Sequence, residues 1–171
     1  MKQLLFMGAL LAAAPLLCQS PLRPDPVIAG GVFEWFELGE SRADVAKRFG
    51  PATAIADFGS GYQSWQYQID NSDHDSFSHQ LVFRKSTGEL VSVTRNYDPE
   101  RPVDGYFPKQ ETRVESYPSS SRPEFTLRIR KLTGERLLLA PGGPGQPAGQ
   151  IFIIRRDELR VFYPWLAERL R

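Results

Sequence analysis

Asp70, Asp73, His74, Asp75 and His79 form the one cluster in this chain whose side-chain types suit a metal ion. Zinc asks for three or four ligands converging on a tetrahedron, and a calcium loop asks for oxygens at alternate positions ending in a bidentate Glu. Neither pattern closes: counted from Asn71, the twelfth position is Val82. Nucleophilic catalysis needs a Ser or Cys beside a base, and the chain has two histidines and no Gly-x-Ser-x-Gly elbow. Gly142-Gly143-Pro144-Gly145 invites comparison with a phosphate-binding loop, but Pro141, Pro144 and Pro147 remove backbone donors and no Lys follows. The residues therefore predict a protein that is not an enzyme and that uses neither metal nor cofactor.

Binding chemistry is better represented. Arg128 and Arg130 share one face of a predicted strand, with Lys131, Arg155, Arg156 and Arg160 near in sequence. Such a stripe suits an anionic lipid or peptidoglycan, or is a solvated face. Phe33, Trp35 and Phe36, and again Phe162, Tyr163 and Trp165, are side chains that either anchor interfaces or fill cores. The candidate partner-binding residues are thus Phe33, Trp35, Phe36, Arg128 and Arg130, and the expected partner is an envelope protein or an anionic lipid rather than nucleic acid.

The first twenty residues supply the compartment. Lys2 precedes an apolar run from Leu4 to Cys18, which gives way to Pro21, Pro24 and Pro26. This reads as an export signal over 1–20, too short for the roughly 20 residues of a membrane-spanning helix, followed by a Pro-rich tether over 21–31. Cys18 lies where bacterial lipoproteins carry their lipidated cysteine and is the candidate lipidation site; the other reading makes it one more apolar residue of the leader. As the only cysteine it leaves no intramolecular disulfide, so the exported chain depends on its core. With 41% apolar and 12% aromatic residues that core is available, and disorder is excluded. The charge is uneven: residues 1–122 carry 12 Lys+Arg against 15 Asp+Glu, and residues 123–171 carry 9 against 5.

The elements that position these groups follow from capping and alternation. Ser41 is suited to an N-cap, Asp44 to the positive end of the helix dipole, and Gly50-Pro51 to the stop. A second short helix is expected over Pro51–Phe58. Three strands then alternate: Trp65, Tyr67 and Ile69; His79, Leu81 and Phe83; Val91 and Val93, with Gly88 turning the second into the third. Residues 100–122, rich in proline and serine, read as a linker. In 123–171, strands are expected around Leu127 and Ile129, over Arg136–Ala140 and Ile151–Arg155, and over Leu159–Tyr163, with Pro164 opening a short terminal helix. Residues 81–89 and 127–135 echo one another at a constant offset, which is attributed to shared turn chemistry rather than duplication.

Leu38-Gly39-Glu40-Ser41 with Val45, Phe49-Gly50-Pro51, Trp65-Gln66-Tyr67, and Leu81-Val82-Phe83 with Thr87-Gly88-Glu89-Leu90-Val91 together resemble the SmpA/OmlA (BamE-like) family of outer-membrane lipoproteins, over about residues 34–98. The resemblance implies an α+β domain over 32–99, two short helices packed on a three-stranded antiparallel sheet, followed by a β-hairpin-rich C-terminal region. It also implies an exported, non-enzymatic binding or scaffold role in the bacterial envelope, in the periplasm or on the periplasmic face of the outer membrane, accessory to outer-membrane protein assembly or envelope maintenance. The related architecture of secreted β-lactamase inhibitors adds an alternative, an inhibitor of an extracellular enzyme presenting a loop such as Asp70–Ser78. No partner-binding residue is carried over, because the matched positions build the fold.

Overall fold

The computed structural model describes residues 36–59, 61–70, 76–96, 106–116 and 125–171. The leader, the tether, Cys18, Phe33, Trp35 and the loop 71–75 with its Asp73, His74 and Asp75 lie outside the described residues. The first element is helix α1, Arg42–Phe49. Ser41 caps it as its composition requires: the backbone is extended there and Oγ accepts from the Asp44 N–H at 3.1 Å. Gly50 ends it at φ 77°, a left-handed conformation that a Cβ disfavours, and its N–H reaches the Ala46 carbonyl at 2.9 Å.

Eight strands follow in one antiparallel sheet: β1 (Ala54–Asp57), β2 (Tyr62–Asp70), β3 (Ser76–Arg84), β4 (Leu90–Asn96), β5 (Thr112–Ser116), β6 (Thr126–Leu132), β7 (Arg136–Pro141) and β8 (Gln150–Arg155). The chain closes with a single 3-10 turn, Arg156–Glu158, and helices α2 (Leu159–Phe162) and α3 (Pro164–Arg169). The order across the sheet is β1-β2-β3-β4-β8-β7-β6-β5. Two four-stranded meanders thus meet through their last strands, with Val93 opposite Ile153 at the seam.

This overturns the expected α+β architecture of two helices on three strands. The sheet does not stop at β4, because β4 pairs with β8 from Ser92–Ile154 to Asn96–Gln150. Alternation assigns the two faces of a strand and says nothing about which strand meets its edge. The second helix expected over Pro51–Phe58 is absent as well. Ala54–Asp57 instead pairs with β2, and the Thr53 N–H adds a bond to the Gln66 carbonyl at 2.8 Å. Between Pro51 and Gly59 there is too little chain for a stable isolated helix, whereas a strand gains a preformed edge. The expected strand over Leu159–Tyr163 is instead a single helical turn, Leu159–Phe162, closed by the Tyr163 N–H on the Leu159 carbonyl at 2.7 Å, and it buries Leu159. Inside the stretch read as a linker, Thr112–Ser116 forms β5.

Each face of the sheet has its own core. The upper face carries Leu81, Phe83, Val93, Leu138, Ile151 and Ile153 and is covered by Phe36, Val45 and Phe49 around α1, and by Phe107 and Ala148 further along. The lower face carries Leu127, Ile129, Leu137, Leu139, Phe152 and Ile154 under Leu159, Leu166 and Leu170. On β2–β4 the lower face turns polar, with Ser64, Gln66, Gln80, Ser92 and Thr94, and Gln80 Nε2 donates to Ser64 Oγ at 2.9 Å. The sequence echo does not follow the architecture: it relates the β3–β4 turn at Gly88 to the β6–β7 turn at Gly134, whereas exchange of the two meanders relates β3 to β7. Turn chemistry accounts for it.

Amide exchange should therefore be slowest along β4 and β8, the central pair, and fastest along β1, all of whose residues are exposed. Leu138→Ala, at a fully buried position, should cost about 3 kcal/mol in a denaturant titration.

Candidate binding site

Two of the sequence candidates are core residues. Phe36 is 2% exposed and packs against Phe49 at 4.8 Å and His79 at 5.2 Å between ring centres. His79, from the candidate metal cluster, is fully buried beneath it and accepts from Arg95 Nε at 2.9 Å through Nε2. Both residues of this pair face the upper core because they are register partners on β3 and β4. No group of three or more His, Cys, Asp or Glu suited to a metal occurs among the described residues.

Arg128 and Arg130 do share the upper face of β6, yet they make no open stripe. Arg130 is tied to Glu111 at 2.6 Å. Arg128 is 1% exposed, with Nη2 donating to the Pro141 and Gln146 carbonyls at 3.0 Å each and its guanidinium 5.3 Å from the Phe107 ring centre. A strand position that points inward buries whatever side chain it carries, and hydrogen bonds to carbonyls make that burial tolerable. The remaining aromatic group, around α2, stays closer to the surface: Phe162 stacks on Phe58 at 5.6 Å and meets Tyr62 edge-on at 5.1 Å.

At the turn end of the sheet the ionisable residues interlock. Glu158, 3% exposed, accepts from the Tyr62 hydroxyl at 2.5 Å and is ion-paired to Arg84, which also reaches Glu89 at 3.3 Å. Arg155 joins Asp157 at 2.7 Å and approaches Glu89 at 3.9 Å. Arg155 and Asp157 line a cleft of about 690 Å³ with Leu38, Glu135, Arg136 and Arg156, in which Arg156 is paired to Glu135 at 3.3 Å. At the other edge, Glu115 receives hydrogen bonds from Arg113 and, at 3.0 Å, from Arg169 of α3. Hydrogen bonding to Glu158 holds the Arg84 guanidinium above its ordinary value, and hydrogen bonding to Asp157 does the same for Arg155. Burial alone would raise Glu115 and Asp157, but hydrogen bonds from Arg169 and Arg113 in the first case and from Arg155 in the second outweigh it, and both carboxyls are lowered. Burial, then the Glu158 hydrogen bond, pushes the Tyr62 phenol up. The arginines and the two carboxyls are thereby held in their charged forms and the Tyr62 phenol in its neutral one.

The second concavity lies on the upper face over β5 and β6 and measures about 400 Å³. Phe107, Pro108, Val114 and Pro144 line it, with Arg128 and Lys109. Thr112 belongs to it too, its hydroxyl donating to the Pro108 carbonyl at 2.7 Å. Sequence reading placed Arg128 correctly on a strand face and missed the cavity, because Phe107 and Pro144 come from segments far apart in the chain and only the sheet brings them over β6.

No protein-family model matches the chain, and no curated protein matches it. Among solved structures it is similar to a cysteine-rich secretory protein of Staphylococcus aureus subsp. aureus Mu50, with TM-score 0.48 and 12% identity over 71% of this chain and 46% of that one. It is also similar to a DUF4309 family protein of Bacillus subtilis subsp. subtilis str. 168, with TM-score 0.43 and 12% identity over 67% of this chain and 78% of that one. The chain spans about half the length of the first. At these values the fold rests on the strand pairings given above and on neither neighbour.

Glu158→Ala should destabilise the protein by about 3 kcal/mol, because the Arg84 charge and the Tyr62 hydroxyl lose their shared acceptor; Glu158→Gln, which keeps an acceptor for Tyr62, should cost less. Glu115 and Asp157 bind fewer protons folded than unfolded as pH falls through the usual carboxylate range near about 4. Their contribution is complete above that range and lost below it, and Glu115→Gln should flatten the acid limb of a stability–pH curve.

Proposed function

We propose that this chain is an exported, non-enzymatic binding or scaffold protein of the bacterial cell envelope. The observation that carries the reading is the state of its ionisable groups. A general acid or base works best when its pKa lies near the operating pH. Here Arg84 and Arg155 are raised by their carboxylate partners, Glu115 and Asp157 are lowered by their arginine partners, and Tyr62 is raised by burial and then by Glu158, a pattern that supports a rigid, charge-patterned surface. The compartment comes from the leader, and the assembly or maintenance role from the SmpA/OmlA resemblance. No helix among the described residues is long and apolar enough to cross a membrane, so attachment through Cys18 is the part of the proposal that would hold the protein at the envelope.

Cell fractionation with intact-mass measurement, comparing wild type with Cys18→Ala, tests this. The wild type should carry a diacylglyceryl adduct and sediment with the outer membrane, and the variant should be soluble in the periplasm. Recovery of the unprocessed chain from the cytoplasm would overturn the reading, as would turnover of a substrate that a single cleft substitution abolishes.

A further inference from the structure

We infer that the polar lower face of β2–β4 binds an uncharged glycan, an extended β-linked chain of hexoses. The inference rests on the binding reading above and names a ligand class for it. Strand register sets out the site. Gln66 of β2, Gln80 of β3, Thr94 of β4 and Phe152 of β8 are successive partners across the sheet, so their side chains form one row on the lower face. A parallel row runs from Ser78 through Asn96 to Gln150, joined by Asn96 Nδ2 donating to Ser78 Oγ at 3.2 Å and Gln150 Nε2 to Asn96 Oδ1 at 3.0 Å. The apolar cluster under α2 and α3 reaches this face no further than Phe152. Beyond it Gln66 is exposed, and Gln80 and Thr94 are half-buried.

The charge pattern selects a neutral polar ligand. In a chain of which 24% is charged, neither row holds a charged side chain, nor does the next one, Ser64–Val82–Ser92. Arg84, one row further, is already held by Glu158. An ion therefore finds no counter-charge here, and an alkyl tail would strip water from amides without replacing it. Sugar hydroxyls do replace it, because a hydroxyl both donates and accepts, and an amide offers one of each. Gln80 donates to Ser64 Oγ at 2.9 Å, whereas Gln66 and Thr94 have no side-chain hydrogen bond among the described residues. Spacing fits as well: neighbouring strands lie about 4.8 Å apart, close to the advance of one hexose along an extended β-linked chain, so each sugar meets one strand. Aromatic rings bound the rows on the helix side. Tyr163, just past α2, stacks on Phe152 at 6.0 Å, and past the buried Ser64 row Tyr62 meets Phe162, which stacks on the exposed Phe58. The weakly positive C–H face of a pyranose packs on the negative face of such a ring.

The test is calorimetric titration of the full chain with cellohexaose and chitohexaose, using maltohexaose and polygalacturonate as comparison probes. At least one of the two β-linked hexamers should bind at one site per chain, about tenfold or more tighter than the α-linked maltohexaose, with an affinity that salt leaves unchanged. Which hexamer binds better distinguishes recognition of plain hydroxyls from recognition of acetamido groups. Gln66→Ala, at an exposed position, should weaken binding about fivefold with the melting temperature unchanged, and Gln66→Ala with Thr94→Val about tenfold or more. Failure of both β-linked hexamers to bind, equal or tighter binding of maltohexaose or polygalacturonate, or undiminished affinity in the double variant would each overturn the inference. Such a failure leaves the fractionation result above untouched, so the ligand class and the envelope role fail separately.

Discussion

The antiparallel pairing of β4 with β8 is the constraint on which the rest of the molecule depends. Without it the chain is two four-stranded meanders, one ending in β8, which is apolar on both faces, and the other in β4, which is apolar on its upper face at Leu90 and Val93. Leu90, Val91 and Val93 of β4 and Ile151 to Ile154 of β8 are buried, so either strand left as an edge would expose unpaired backbone beside apolar side chains. Joining them hides both edges at once. Exposure is greatest at the two outer strands, the short β1 and the charged β5.

That seam also explains why the two faces differ. The upper face is apolar across the middle of the sheet and is covered by α1 and by the segments around Phe107 and Ala148. The lower face is apolar only under α2 and α3, and on β2–β4 it is lined by hydroxyls and amides that bond to each other. Charged residues sit where the two coverings end. Glu158 links α2 to β2 and β3 through Tyr62 and Arg84, and Glu115 links β5 to α3 through Arg169. These ion pairs are positioning contacts between layers.

Much of the local structure was legible in the residues. Ser41, Gly50 and Pro51 bound α1 by capping chemistry that depends on near neighbours alone. The alternation of Trp65 and Tyr67, of His79, Leu81 and Phe83, and of Leu127 and Ile129 marks strands for the same reason. The misreadings have a common cause. Ala54–Asp57 was read as helix because its partner edge on β2 is invisible in the segment itself, and Leu159–Tyr163 was read as strand because a short apolar run is ambiguous until its covering surface is known. The candidate site was legible in one residue, Arg128, and there only as a strand-face cation; the cavity needs Phe107 and Pro144, and neither carries a sequence signal for it.

By itself, then, the sequence determined the elements whose causes are local: caps, turns with glycine at positive φ and strand alternation, and its single cysteine leaves no intramolecular disulfide. Tertiary structure alone decided that β4 meets β8, that Phe36 and His79 are core, and that Arg128 faces a pocket. The physical reason is that capping and alternation are satisfied within a few residues of chain. Edge pairing and burial are instead set by which distant surface offers complementary hydrogen bonds and apolar area, and no residue encodes its distant neighbour.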